Sequence, residues 1–375
     1  MRLRIAAALL ALLWVAPAQA QCIGFQCPPG ILGAGSTDGP TQAQIIATAT
    51  LDFNFSAGTY RQTGVPGCTT FATCVTFSRT QGGAGALSTN LLYVSPSGFA
   101  YTTYAANVPR FVSGGGLLAE PQVVNRLLNS AVPATQTTAS LATGTYVLWV
   151  NGSGSAQATA GSAVGTGFGG TPASQGAFKT FTISSAGTVV VTVTGSLNAF
   201  QLELSAYPSS FILTVAAVGT RGIDVAAVTS NPVIGSAYSL LCHGVPLLPI
   251  SGPNQTMASI SDGTATNFMY CRRLATSGLL ALQGTAGIGI TDTGPAIIEG
   301  GLAKMAFSVN SATPVESAAF NSGSLQQDLD APPAGLNAIN IGTQGTTSVP
   351  WVGYISGISF WPVRLSGYEL ITVSR

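Results

Sequence analysis

Apolar residues in this chain alternate with hydroxyl and amide residues in short runs, and no apolar stripe at helical spacing lasts more than two turns. In ATLDFNFSAGTY, Leu51, Phe53 and Phe55 fall at every second position, which places them on one face of a half-buried strand. CVTFSR and NLLYVSPSGFAYTTY continue the pattern, with turn residues between them. Only Pro121 to Ser130, PQVVNRLLNS, reads as helical, and it is short. Farther on, GTYVLWVNGSGSAQATAG, AFKTFTISSAGTVVVTVTGSL and AFQLELSAY are β-rich runs broken by Gly and Ser, the pattern of a sandwich. AYSLLCHGV, TNFMYCRRL, KMAFSVN and YISGISFWPVRL repeat the style to the end. The chain is therefore expected to be all-β, built of tandem β-sandwich modules. Its expected segments are a signal peptide at 1–20, a linker at 21–46, a β-rich segment at 47–130, and sandwiches at 131–214 and 215–375.

Charge supports this reading and removes several functions. Only 7% of the residues are charged, against roughly 25% in ordinary soluble proteins, so the surface relies on hydroxyls, amides and exposed backbone. A hydrophobic content of 46% excludes charge-driven disorder, and the near-neutral balance leaves no basic footprint for nucleic acid. Arg2 and Arg4, the apolar run Ile5 to Val15 and the small-x-small site Ala18-Gln19-Ala20 predict a secretory signal cleaved before Gln21. The apolar run is shorter than the roughly 20 residues a spanning helix needs, so no stable membrane insertion is expected after cleavage. A retained anchor is the alternative. A secreted, periplasmic or cell-surface location follows, and with it an oxidising compartment.

Six cysteines fit that compartment and come as Cys22/Cys27, Cys68/Cys74 and Cys242/Cys271. Six allow about 15 pairings, and local pairing is the simplest expectation. Zinc is the rival reading, but no C-x2-C is present and His243 is the only histidine.

Several stretches carry a resemblance. ANVPRFVSGGGLLAEPQVVNRLLNS, Ala106 to Ser130, resembles the opening segment of tailed-phage and prophage tail-fibre or head-spike proteins, in which a G-L-L-x-E…N-x-L pattern follows V-P-R-F. AFQLELSAYPSSFILT, Ala199 to Thr214, is similar to the Q-L-E…S-x-I-x-T junction that closes a jelly-roll module in such proteins. GYISGISFWPVRLSGYEL, Gly353 to Leu370, resembles the last strand of a concanavalin A-like, laminin-G-type sandwich. With ISDGTATNFMYCRR, Ile260 to Arg273, these stretches cover about residues 50–375 in the expected order. The resemblance implies a jelly-roll module followed by a concanavalin A-like domain. It also implies a non-catalytic adhesion protein that contacts cell-surface polysaccharide, assembled as a homo-oligomer, although no heptad region supports a coiled coil. The signal peptide and the paired cysteines depart from virion proteins, which assemble in the cytoplasm. They point as well to a bacterial exported protein built from the same modules, and a purely structural envelope component is the competing reading.

Chemical motifs add little. Gly165-Thr166-Gly167-Phe168-Gly169-Gly170 fits G-x-G-x-x-G, but no helix follows to receive a pyrophosphate. A serine hydrolase needs a base, and His243 lies beside Cys242 in an apolar strand, with no G-x-S-x-G elbow anywhere. A glycosidase on the lectin-like sandwich needs two carboxylates flanking the scissile bond, whereas here the acids are scattered and Glu203 stands alone in QLELS. No cofactor is expected. Calcium is the one candidate, with Asp328 and Asp330 as its oxygen donors. For sugar contact the candidates by type are Trp149, Trp351 and Tyr354 as stacking rings, and Asp262, Asn267 and Arg272 as polar partners; Trp361 is expected in the core.

Overall fold

The computed structural model describes residues 39–375 apart from 91, 93–100, 113–114, 249–252, 265–266, 276, 278, 285–290, 311–314, 322, 329–332 and 344–349. The proposed signal peptide, Cys22, Cys27 and Asp330 lie outside the described residues.

Two large antiparallel sheets hold most of the chain. In the first, nine-stranded sheet, Gly353–Trp361 is a central strand. On one side it pairs with Ala237–Pro246, followed outward by Ala303–Asn310, Val315–Phe320 and Gln326–Asp328. Its other edge is shared: Leu51–Asn54 takes the second half and Gly116–Ala119 the first. The second, seven-stranded sheet runs Val75–Ser78, Val225–Val228, Ala338–Ile341, Gln255–Ser261, Phe268–Arg273, Leu279–Gly284 and Thr291–Ala296. Strands from residues 51–119 are thus hydrogen-bonded into the sheets formed by the 215–375 segment. One apolar cluster joins the inner faces, with Phe53, Leu240, Phe307, Ile358 and Phe360 from the first sheet and Ala258, Ile260, Met269 and Ile339 from the second. This is a β-sandwich.

A smaller sandwich is built from residues 136–204. One four-stranded sheet holds Val164–Thr166, Lys179–Ser185, Gly144–Gly152 and Leu197–Leu204, and the other holds Gln136–Thr137, Val189–Thr194, Ser155–Ala160 and Ala173–Ser174. Tyr146, Leu148, Val150, Phe181, Val191, Phe200 and Leu202 fill the space between them, mostly at every second position along their strands. Gly165 of the glycine-rich motif is in an edge strand, where a Cβ would lie 2.0 Å from the Thr182 carbonyl oxygen. Close backbone approach therefore accounts for that glycine without a phosphate.

Three expectations need correction. Pro121 to Ser130 is not helical: Val123–Asn125 is a strand, because Val123 and Asn125 are both buried and the Asn125 amide is held by neighbouring backbone. Its Nδ2 donates to the Ile212 carbonyl, and its Oδ1 accepts from Leu127 N and Leu202 N. Helices occur instead where none was expected, at Gln42–Ala47 within the predicted linker and at Gly367–Val373. The second begins at a capping box: Glu369 N donates to Ser366 Oγ at 3.3 Å and Ser366 N donates to Glu369 Oε2 at 2.7 Å. Ile45, Leu370 and Val373 from these helices cover Leu241, Ala306 and Trp361 on the outer face of the nine-stranded sheet.

The third correction concerns cysteine. Cys68 and Cys74 form the expected disulfide. Cys242 and Cys271 do not; they are buried free thiols in hydrogen-bonding contact. They belong to facing sheets, and their side chains meet in the core between them.

The two sandwiches meet through a buried polar network. Arg110 is paired with Glu120 at 2.7 Å and Asp224 at 2.5 Å. Arg79 shares Asp224 at 3.1 Å and Arg221 shares Glu120 at 3.1 Å. Ser210 N donates to Glu120 Oε1, while Ser209 N and Oγ donate to Glu203 at 2.7 and 2.6 Å. Gln201 Oε1 accepts from Ile212 N at 2.7 Å. Arg110, Glu120, Asn125, Gln201, Glu203, Ser210 and Ile212 all come from the VPRF, GLLAE and QLE…S stretches quoted above. These segments, far apart in sequence, thus supply one junction. Trp149 belongs to it as well: it is 1% exposed and packs edge-on against Phe211 at 6.1 Å.

Candidate functional site

Two segments enter the large sandwich side by side. Ile234 to Tyr238 leads into the first sheet, and Pro333 to Leu336 leads into the second. Between them is an open-mouthed cleft of about 310 Å³ lined by Ile234, Gly235, Ser236, Tyr238, Pro333, Ala334, Gly335 and Leu336. Gly335 adopts φ +76°, a left-handed turn that lets the second segment bend away from the mouth. Tyr238 is 2% exposed and its Oη has no hydrogen-bond partner. Burial, with Glu316 nearby, pushes its phenol well above the usual range, so it stays a neutral donor and acceptor.

The polar rim comes from the turn joining Gln255–Ser261 to Phe268–Arg273. Thr264 N and Oγ1 both donate to Asp262 Oδ1, at 2.8 and 2.6 Å. These bonds hold the exposed Asp262 carboxyl below its ordinary range, so it is a fixed anion. Asn267 Nδ2 donates to Asp262 Oδ2 at 3.2 Å and to the Ala334 carbonyl of the cleft wall at 2.8 Å. Its Oδ1 is buried without a partner. The site thus joins a partly apolar cleft to a carboxylate and a serine hydroxyl at its rim, with the Tyr238 phenol buried beneath them.

Of the six residues expected to contact sugar, the fold brings Asp262 and Asn267 together at this rim. The others lie elsewhere. Trp351 is fully buried, its Nε1 donating to the Tyr354 carbonyl at 3.2 Å, and Trp149 is sealed in the junction. Neither ring is available for stacking, which corrects that expectation. Tyr354 is half-buried against Gly115, and burial pushes its hydroxyl up to about 12. Arg272 is 7% exposed over the Tyr270 ring at 4.0 Å, and that ring stacks on Phe268 at 4.7 Å. The cleft residues Tyr238, Ser236 and Pro333 to Leu336 were not singled out from sequence. Their only signal in the sequence is the Pro-Pro pair that follows Asp330.

His243 packs on Gly357, and burial, helped by Lys304, lowers it to about 4, so it is neutral at ordinary pH. Glu120 and Asp224 are two carboxylates brought together, but arginines bind both and they are 1% and 2% exposed. Asp328 pairs with Glu316 in the sheet ladder. Among the described residues no group of three or more His, Cys, Asp or Glu could hold a metal ion.

No protein-family model matches the chain, and no curated protein matches it in sequence. Solved structures give partial likenesses. The Ruminococcus gnavus IT-sialidase CBM40 bound to α2,6-sialyllactose is 16% identical over 37% of this chain and 83% of its own, with a TM-score of 0.32. Domain 4 of AbnA, a GH43 extracellular arabinanase from Geobacillus stearothermophilus in complex with arabinotriose, is 14% identical over 41% of this chain and 73% of its own, also at 0.32. A leech intramolecular trans-sialidase matches over 37% of this chain and 23% of its own, at 16% identity and a TM-score of 0.30. Likeness of this extent assigns no activity to the chain.

Proposed function

We propose that this chain is an exported, non-catalytic adhesion protein that contacts cell-surface polysaccharide through the cleft at the end of its large sandwich. The carrying observation is the fixed Asp262 carboxylate beside an open cleft whose accessible lining includes Ile234, Ser236 and Ala334. A sugar presents both hydroxyls and C–H faces, and such a rim can bind each at once. Every hydrogen bond is exchanged with water and gains little, so single-site affinity is weak, at about 0.1–1 mM, and repeated copies raise it by avidity. A tail-fibre or head-spike role is supported by the quoted stretches, whose polar side chains converge on one buried junction.

Glycan arrays printed at high density with bacterial surface polysaccharides test this reading. Binding is expected without oligosaccharide products by mass spectrometry. Asp262→Ala should weaken it by about tenfold, since a lost bond to a charged acceptor is worth about 1.5 kcal/mol or more. Asp262 belongs to a surface turn, so the fold should remain intact. Silence across the array would favour a structural envelope role, and released sugar a glycosidase.

A further inference from the structure

The opposite end of the inter-sheet space holds an unexplained charge. Arg273 points inward from the strand Phe268–Arg273, on the same face as the core residues Met269 and Cys271, and is fully buried. Its Nε donates to the Ile297 carbonyl at 2.8 Å, but Nη1 and Nη2 have no hydrogen-bond partner. Directly across the ladder stands Gln255, also fully buried. The Gln255 Oε1 accepts from Val352 N at 3.2 Å, which leaves Nε2 as its free end, and that nitrogen is unpartnered too. Three donors on two facing residues are therefore buried without a hydrogen-bond partner, although Glu299 and Tyr207 act on Arg273 electrostatically. Leaving one buried donor unmet costs about 1–3 kcal/mol, and more when it is charged, so native interiors rarely keep such a group.

We propose that Arg273 and Gln255 form an internal binding site for a carboxylate. A guanidinium presents parallel N–H groups at the spacing of two carboxylate oxygens, a match that an ammonium or a spherical anion lacks. Gln255 Nε2 would supply a third donor. This site is separate from the Asp262 cleft and does not depend on what the cleft binds. The carboxylate has two sources: a free small acid, or the acid group of an acidic sugar.

Thermal unfolding of the full wild-type chain in sodium acetate, sodium glucuronate and sodium chloride at equal ionic strength tests the proposal. At carboxylate concentrations about tenfold over Kd, the midpoint should rise by about 2 °C or more above that in chloride. A rise with acetate identifies free acids; a rise with glucuronate alone identifies the acidic sugar. Arg273→Lys keeps the charge but loses the planar fork, and the carboxylate-specific increment should vanish in it. The wild-type series is decisive without the variant. Equal midpoints in all three salts, or an increment that survives in Arg273→Lys, would overturn the proposal.

Discussion

Replacing Asp224 by Asn is expected to lower the folding free energy by about 3–5 kcal/mol, the range for breaking a buried ion pair by removing one partner. Asp224 Oδ1 accepts from Arg79 and Oδ2 from Arg110 and from Glu120 N. Burial already lowers Arg79 to about 10, against the pull of Asp224, and Arg110 repels it. In the variant one of the two oxygens becomes an amide N–H, so one buried guanidinium group meets a donor in place of its acceptor and neither keeps the carboxylate charge. Arg61, partly exposed, gives the contrast: it is 3.9 Å from Asp52 and donates to the Ala49 and Ile46 carbonyls, and Arg61→Met should cost about 1–2 kcal/mol. Urea unfolding of both variants checks the difference. A loss below about 1 kcal/mol for Asp224→Asn would show that the junction does not hold the sandwiches together.

Glu203 should make the junction weaken as pH rises from about 4.5 to about 7. Burial pushes its carboxyl from 4.5 up to about 7, despite the Ser209 hydrogen bonds and Arg221. A folded value above the unfolded one means that its contribution is complete below the unfolded value and is lost as pH rises through the folded value. The loss is roughly 3 kcal/mol. Glu120 behaves oppositely: burial would raise it, but Arg221 and Arg110 hold it down to about 2, so its contribution is present above 4.5 and lost as pH falls through that lower value. His243, lowered from 6.5 to about 4, also loses stability as pH falls through its window, which opposes the Glu203 slope. The wild-type curve therefore conceals Glu203, and a comparison with Glu203→Gln exposes it. The variant should exceed wild type by roughly 3 kcal/mol near pH 8 and match it near pH 4.5. Equal stability in alkali would refute the assignment.

How much of this was legible in the sequence depended on whether the cause was local. Alternation at Leu51, Phe53 and Phe55 directly marks a strand, and those side chains are in the core. The six-residue spacing of Cys68 and Cys74 needed only a short turn to close. The sandwich over 136–204 is self-contained, so its pattern could be read by itself. What failed depended on distant partners. Nothing near Leu51 says that it pairs with Phe360. Trp149 and Trp351 carry the residue type of a sugar platform, yet packing by Phe211 and by the turn at Tyr354 removes both from solvent. Asn125 reads as helical until the carbonyl of Ile212, far along the chain, takes its amide. Gly367–Val373 was missed although Ser366 and Glu369 spell a capping box, because the preceding strand pattern was extended through it. At the site, Asp262 and Asn267 were legible as polar residues flanking a strand. The cleft wall was not, since two segments about a hundred residues apart create it.

The central claim is that the cleft between Tyr238 and Leu336 receives carbohydrate, and a structure of the chain with its strongest-binding oligosaccharide tests it most directly. An intact sugar is expected in the cleft, with hydroxyls on Asp262 and Ser236 and a C–H face on Ile234 or Ala334. A sugar seated instead on the small sandwich or on the Tyr270 face, with the cleft empty, would contradict it.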